Sequence, residues 1–174
     1  MSNNTKLLLF RRAIFAAAIV ALNILQNTRG FFPEPFGVRA FLLIPATVCI
    51  GMFEREYAGA FFGLFAGALW DIYTPEGDGY NALVLMVLAV SAGLLIKFLM
   101  RNHMLTAFIL CIGASLVYAG LYSLFFITAR GVGNPLYLLM RFYLPSAGFT
   151  SLFTLPFYLG VRALMRITQT NEDY

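Results

Sequence analysis

Few residues in this chain can do chemistry, and their types limit which chemistry. His103 is the single histidine. A multi-histidine metal site and the H-E-x-x-H arrangement of a zinc protease are therefore excluded. Asp71, in Trp70-Asp71-Ile72, is the carboxylate that falls within an apolar run. Intramembrane aspartyl chemistry needs two such groups sharing a site. A serine nucleophile needs a base within reach, and His103 is expected in a turn at the membrane face opposite Asp71. Cys49 and Cys111 lie in apolar runs, with no C-x-x-C or Cys/His cluster, and read as small core residues. No cofactor and no metal are expected, and the chain is expected not to be an enzyme.

The elements that must position these residues are membrane helices. Apolar residues make up 60% of the chain and charged residues 11%, and the mean hydropathy is +0.79. A crossing takes about 20 mostly apolar residues, so six would use roughly 120 positions. The expected fold is all-α, a single transmembrane domain over residues 1–174. Six helices are expected, over about 8–28, 37–53, 57–73, 80–100, 104–128 and 141–165. Pro33 and Pro35 follow the first helix, since proline cannot continue the hydrogen-bond ladder. Pro45 is expected to kink the second, and Pro145 and Pro156 fall within the sixth. Lys6, Arg11 and Arg12 before an apolar stretch also fit a secretory signal. However, Asn23-Ile24-Leu25-Gln26-Asn27-Thr28 is no small-x-small cleavage site, so the segment is expected to stay as a helix.

Charge sets the expected orientation. With six crossings, Lys6, Arg11, Arg12, Arg55, Lys97, Arg101, Arg162 and Arg166 share one side. Arg29, Arg39, Arg130 and Arg141 share the other, completing the 12 basic residues. The excess places both termini in the cytoplasm. The net charge of +4 is spread one or two residues per polar notch. It therefore reads as topology marking, not as a nucleic-acid surface.

Three constellations remain as candidate sites. Gly59, Gly63 and Gly67 recur at spacing four on one helix face, and Ala13, Ala17 and Ala21 do the same on the first helix. Such faces let another helix come close, either within the bundle or from a partner protein. On the second reading, Gly63→Leu would block complex formation while leaving the chain inserted. An outer polar cluster of Asp71, Arg39, Asn81 and Arg141, with Asn23, Gln26 and Asn27 at the same level, is the second. An intramembrane carboxylate is costly unless paired, so Asp71 is expected to pair with Arg39 or Arg141, or else each residue snorkels to the interface. Third, Glu54, Arg55 and Glu56 form a charged notch that is either a solvated loop or a contact for a cytoplasmic protein.

The run Gly59 to Ile72, ending Ala68-Leu69-Trp70-Asp71-Ile72, with the Gly-rich loop and Tyr80-Asn81-Ala82-Leu83 after it, resembles the MreD family of bacterial rod-shape membrane proteins. The loop Pro75-Glu76-Gly77-Asp78-Gly79 is more acidic than that family's pattern. The resemblance implies a non-enzymatic assembly factor of the cell-elongation complex in the bacterial cytoplasmic membrane. It further implies an MreC-like single-span partner and, through it, MreB, RodA and a penicillin-binding transpeptidase, with membrane lipids around the bundle. Asp71 and Asn81 fall where that family's Asp and Asn fall. The family's fold is similar to the substrate-binding subunits of energy-coupling-factor vitamin transporters. This supplies the alternative, a small-molecule binder, which should show convergent polar and aromatic groups around a cavity of a few hundred Å3.

Overall fold

The computed structural model describes residues 3–28, 40–54, 56–74, 79–128, 137 and 139–168. Every regular element among them is helical: α1 (Asn3–Asn27), α2 (Leu43–Phe53), α3 (Glu56–Asp71), α4 (Tyr80–Phe98) and α5 (Met104–Tyr122). A π-helical run, Ser123–Thr128, extends α5, and a second, Leu139–Tyr143, leads into α6 (Leu144–Leu152) and α7 (Thr154–Ile167). Three helical stretches are long and apolar enough to cross a membrane: Thr5–Asn27, Tyr80–Phe98 and Met104–Phe126.

The core is built around α2. Ten of its residues, Leu43 through Met52, are buried on every side. A helix apolar all round belongs in the interior of a bundle. α1, α3, α4, α5, α6 and α7 all pack against it. At 11 residues it is only about 16 Å long, half the thickness of a hydrocarbon core. Ala40 to Leu42, expected to be helical, are not, and residues 37–39 lie outside the described residues. The later start changes the role of Pro45. It sits in the first turn, where a missing N–H removes no ladder bond, so it does not kink the helix.

The expected sixth helix is two. α6 ends at Leu152, four residues before Pro156, where the proline ring clashes with the helical carbonyl and has no N–H to offer it. Phe153 instead donates to the Thr150 carbonyl at 3.1 Å in a tighter turn.

The exterior is apolar. Phe10, Phe61, Leu83, Leu105, Leu124 and Leu159 are among many large hydrophobic side chains left exposed. A surface of this kind suits hydrocarbon and would drive association in water.

Candidate functional site

Around Asp71, helix ends are capped by side chains from other helices. Gly79, at the N-cap of α4, adopts φ +78, a left-handed conformation that glycine tolerates and β-carbon residues resist. A glycine has no side chain to accept from the first N–H groups of the helix. Asp71, at the end of α3, supplies both acceptors. Its Oδ1 accepts from the Asn81 N–H at 3.1 Å and its Oδ2 from the Ala82 N–H at 3.0 Å. The carboxylate thus lies against the positive end of the α4 dipole.

Among the described residues these backbone amides, not an arginine, are the partners of Asp71. This corrects the expected pairing with Arg141, which is exposed and outside the cluster; Arg39 lies outside the described residues. Asn81 is buried; its Oδ1 accepts from the Tyr118 hydroxyl at 2.7 Å and its Nδ2 donates to Thr74 Oγ1 at 3.4 Å. The ring of Tyr118 stacks on Trp70, 5.2 Å between centroids and 13° apart, with Phe41 and Tyr80 against it. The Tyr80 hydroxyl donates to the Tyr118 carbonyl at 3.3 Å.

The start of α2 at the same end is treated alike. Leu42 precedes it and offers no acceptor. Gln26 Oε1, from α1, accepts the Leu43 N–H at 3.1 Å, and Thr150 Oγ1, from α6, accepts the Phe41 N–H at 2.9 Å. Asn23 Nδ2 donates to the Leu69 carbonyl at 3.3 Å, joining α1 to α3. Sequence reasoning gathered Asn23, Gln26, Asn27, Asp71 and Asn81 at this level. It missed Tyr118, Trp70 and Thr150, single residues in apolar runs that carry no spacing signal.

The opposite end of the bundle is charged. Arg11 and Glu54 are both buried and form an ion pair. Glu54 is therefore not part of a solvated notch; its carboxylate ties the α2 end to α1. Glu56 accepts from Lys97 Nζ at 2.5 Å, linking α3 to α4. Arg55 lies outside the described residues. Asn102 Nδ2 donates to the Met52 carbonyl at 3.3 Å and caps the far end of α2, while the Tyr158 hydroxyl donates to the Asn102 carbonyl. Among the described residues no three His, Cys, Asp or Glu side chains come close enough to hold a metal ion.

Gly59, Gly63 and Gly67 are buried against α4. A Cβ at Gly63 would stand 2.6 Å from the Leu85 carbonyl oxygen, and one at Gly67 2.2 Å from that of Asn81. Gly51 on α2 and Gly93 on α4, which spacing did not single out, bring α2 equally close to α4, and Gly59 meets Gly51. A Cβ at Gly51 would meet the Ala89 oxygen at 2.4 Å, and one at Gly93 the Gly51 oxygen at 2.9 Å. Backbone therefore lies on backbone between α3 and α4 at Gly63 and Gly67 and between α2 and α4 at Gly51 and Gly93, the geometry that small residues permit. Gly63→Leu consequently acts on this fold before it acts on any complex. Ala13, Ala17 and Ala21 are exposed. α1 instead turns Arg11, Phe15, Ile19 and Asn23 inward.

Three cavities among the described residues lie away from the Asp71 cluster. One of about 550 Å3 runs between α1 and α3 beside Arg12, Ala13, Tyr57 and Phe61. Another of about 310 Å3 borders Met104, Phe108 and Thr154. A third of about 560 Å3 borders Gly51, Glu56, Gly93 and Lys97.

With every regular element among its described residues helical and many large hydrophobic side chains exposed, the chain has the character of a membrane protein. Comparison with family profiles, curated proteins and solved structures gives no match.

Proposed function

We propose that this chain is a multi-pass protein of the bacterial cytoplasmic membrane that acts, without catalysis, as an MreD-like assembly factor of the cell-elongation complex. On this reading it crosses the bilayer six times, with α6 and α7 in tandem as the last crossing and both termini in the cytoplasm. Its partner is an MreC-like single-span protein that packs along the alanine face of α1. MreB, RodA and the transpeptidase are reached through that partner.

The observation that carries the reading is the contrast between occupied polar groups and a small-residue face exposed among the described residues. Asp71 and Asn81 satisfy each other's helices and Tyr118. The cavities of 310–560 Å3 are lined by other residues. A vitamin-binding subunit needs the reverse, with polar groups open to a cavity. Ala13, Ala17 and Ala21 remain exposed along a helix long enough to span, and close helix approach in lipid favours such a strip.

The test is a pull-down in mild detergent from native membranes. The wild type is expected to retain a single-span partner with an extracytoplasmic domain, and Ala17→Leu to lose it while staying monodisperse. Normal retention by Ala17→Leu, or tight and specific binding of a vitamin-like compound by the isolated chain, would overturn the reading.

A further inference from the structure

The groove between α1 and α3 holds a cation that has no counter-charge among the described residues, set over an apolar slot. Arg11 turns inward to Glu54, and Glu56 takes Lys97. Arg12, one residue on, is exposed and has no carboxylate among the described residues. It lines a cavity of about 550 Å3 whose other walls include Leu9, Ala13, Ala16, Tyr57 and Phe61. Arg12 and Tyr57 supply the polar atoms; Tyr57 and Phe61, one turn apart on α3, are largely exposed.

The two helices run in the same direction here. Arg11 meets Glu54 at one level, and Phe15 meets Phe62 edge-on a turn deeper, 5.7 Å between centroids. The groove therefore opens beside Arg12 and Tyr57 and continues between Ala16 and Phe61 towards the bundle centre. Asn27, at the other end of α1, lies about 22 Å from Arg12 along the helix axis, which puts Arg12 near one edge of a hydrocarbon layer about 30 Å thick.

We infer that this groove is a binding site for an anionic phospholipid. The phosphate meets the Arg12 guanidinium, with Tyr57 beside it, and one acyl chain lies in the slot. Charge complementarity selects the occupant. Among the described residues the nearby carboxylates Glu54 and Glu56 already have cations, so the Arg12 guanidinium at headgroup depth is left for an anion. A partner helix would fill the apolar slot but would leave Arg12 unanswered. The proposal stands apart from the assembly role, because it turns on the Arg12 charge and needs no protein partner, although the groove shares Ala13 with the alanine strip of α1.

The experiment is native mass spectrometry of the full-length protein, delipidated in detergent and offered equal phosphatidylglycerol and phosphatidylcholine. The wild type should retain phosphatidylglycerol preferentially, one molecule tighter than the rest. Arg12→Gln should lower that preference roughly fivefold, the effect of one cation near an anionic headgroup, and Arg12→Lys should keep most of it. Ala13→Phe, which fills the slot, should remove the tight molecule whatever its headgroup, and Arg166→Gln should change nothing. Inorganic phosphate alone should not compete. Equal retention of the two lipids by the wild type, or an unchanged preference in Arg12→Gln, overturns the proposal. So does a protein found in the groove, by crosslinking from Phe61, in place of lipid.

Discussion

On α3, glycines at every fourth residue lie in backbone contact with α4; on α1, alanines at the same spacing are exposed. The difference comes from what fixes each helix. α3 and α4 are joined by the short stretch between Asp71 and Tyr80, and Asp71 then caps the helix that follows it. The nearest partner of the glycine face is thus supplied by the chain itself. The rotation of α1 is set by heavier groups. Arg11 binds Glu54 at one end and Asn23 binds the Leu69 carbonyl at the other, with Phe15 and Ile19 buried between them. Positions 13, 17 and 21 stand two residues away from that series, about 200° around the helix, and must face outward. A small-residue strip records that close approach is possible; polar anchors on the same helix decide whether the bundle uses it.

The most direct way to break the comparison is to add bulk to the glycine side. Gly67→Leu drives a side chain into the backbone of Asn81 and Ala82, neither of which can move without uncapping α4. The cost should reach about 4 kcal/mol, above the roughly 1–3 kcal/mol usual for overpacking, because the obstacle is backbone and not a side chain. It should appear as loss of folded, monodisperse protein on gel filtration. An equal yield and melting temperature for this variant would mean that α3 and α4 are not in backbone contact.

The anchors of α1 come next. Glu54→Ala removes a buried carboxylate from the buried Arg11 guanidinium, which should cost about 3 kcal/mol, read from thermal unfolding in detergent. The double variant Arg11→Met with Glu54→Leu should lose much less, because apolar replacements of both partners avoid a buried lone charge. If the double variant is as unstable as the single, the pair does more than neutralise itself.

Asp71 separates a cap from an ion pair. Asp71→Ala removes the acceptors for two N–H groups of α4 and should cost about 2 kcal/mol, while Asp71→Asn, keeping one acceptor, should cost about half as much. Exchanging charges between Asp71 and Arg141 should rescue nothing, since Asp71 bonds to backbone. Recovery of stability in that double exchange would restore the ion-pair reading.

These anchors also show what the sequence could disclose. α3 and α4 fall within two residues of their apolar runs, and α5 starts where expected and reaches residue 128 through its π-helical extension, because composition marks them directly. The late start of α2 and the break at Phe153 depend on where Pro45 and Pro156 sit relative to a helix end, which hydropathy does not resolve. The gathering of Asn23, Gln26, Asp71 and Asn81 followed from their common depth. Their partners did not, because capping across helices depends on distances that only packing creates. Arg11 reads on paper as one of several inner-side cations, and only the buried Glu54 separates it from Arg12.

The smallest expected effect on the fold is the most informative about function. Ala17→Leu adds a side chain on the exposed strip of α1, where nothing among the described residues opposes it, so stability should change by no more than about 0.5 kcal/mol. In lipid, an added leucine on a surface already apolar gains and loses little, but it blocks close approach by another helix. The variant therefore separates two meanings of the strip. If the alanines only happen to face lipid, Ala17→Leu should match the wild type in folding and in partner retention. If they receive a partner helix, it should match in folding alone. Adding the same side chain at Gly67 cannot make that distinction, because there the partner is α4 and losing it unfolds the hairpin.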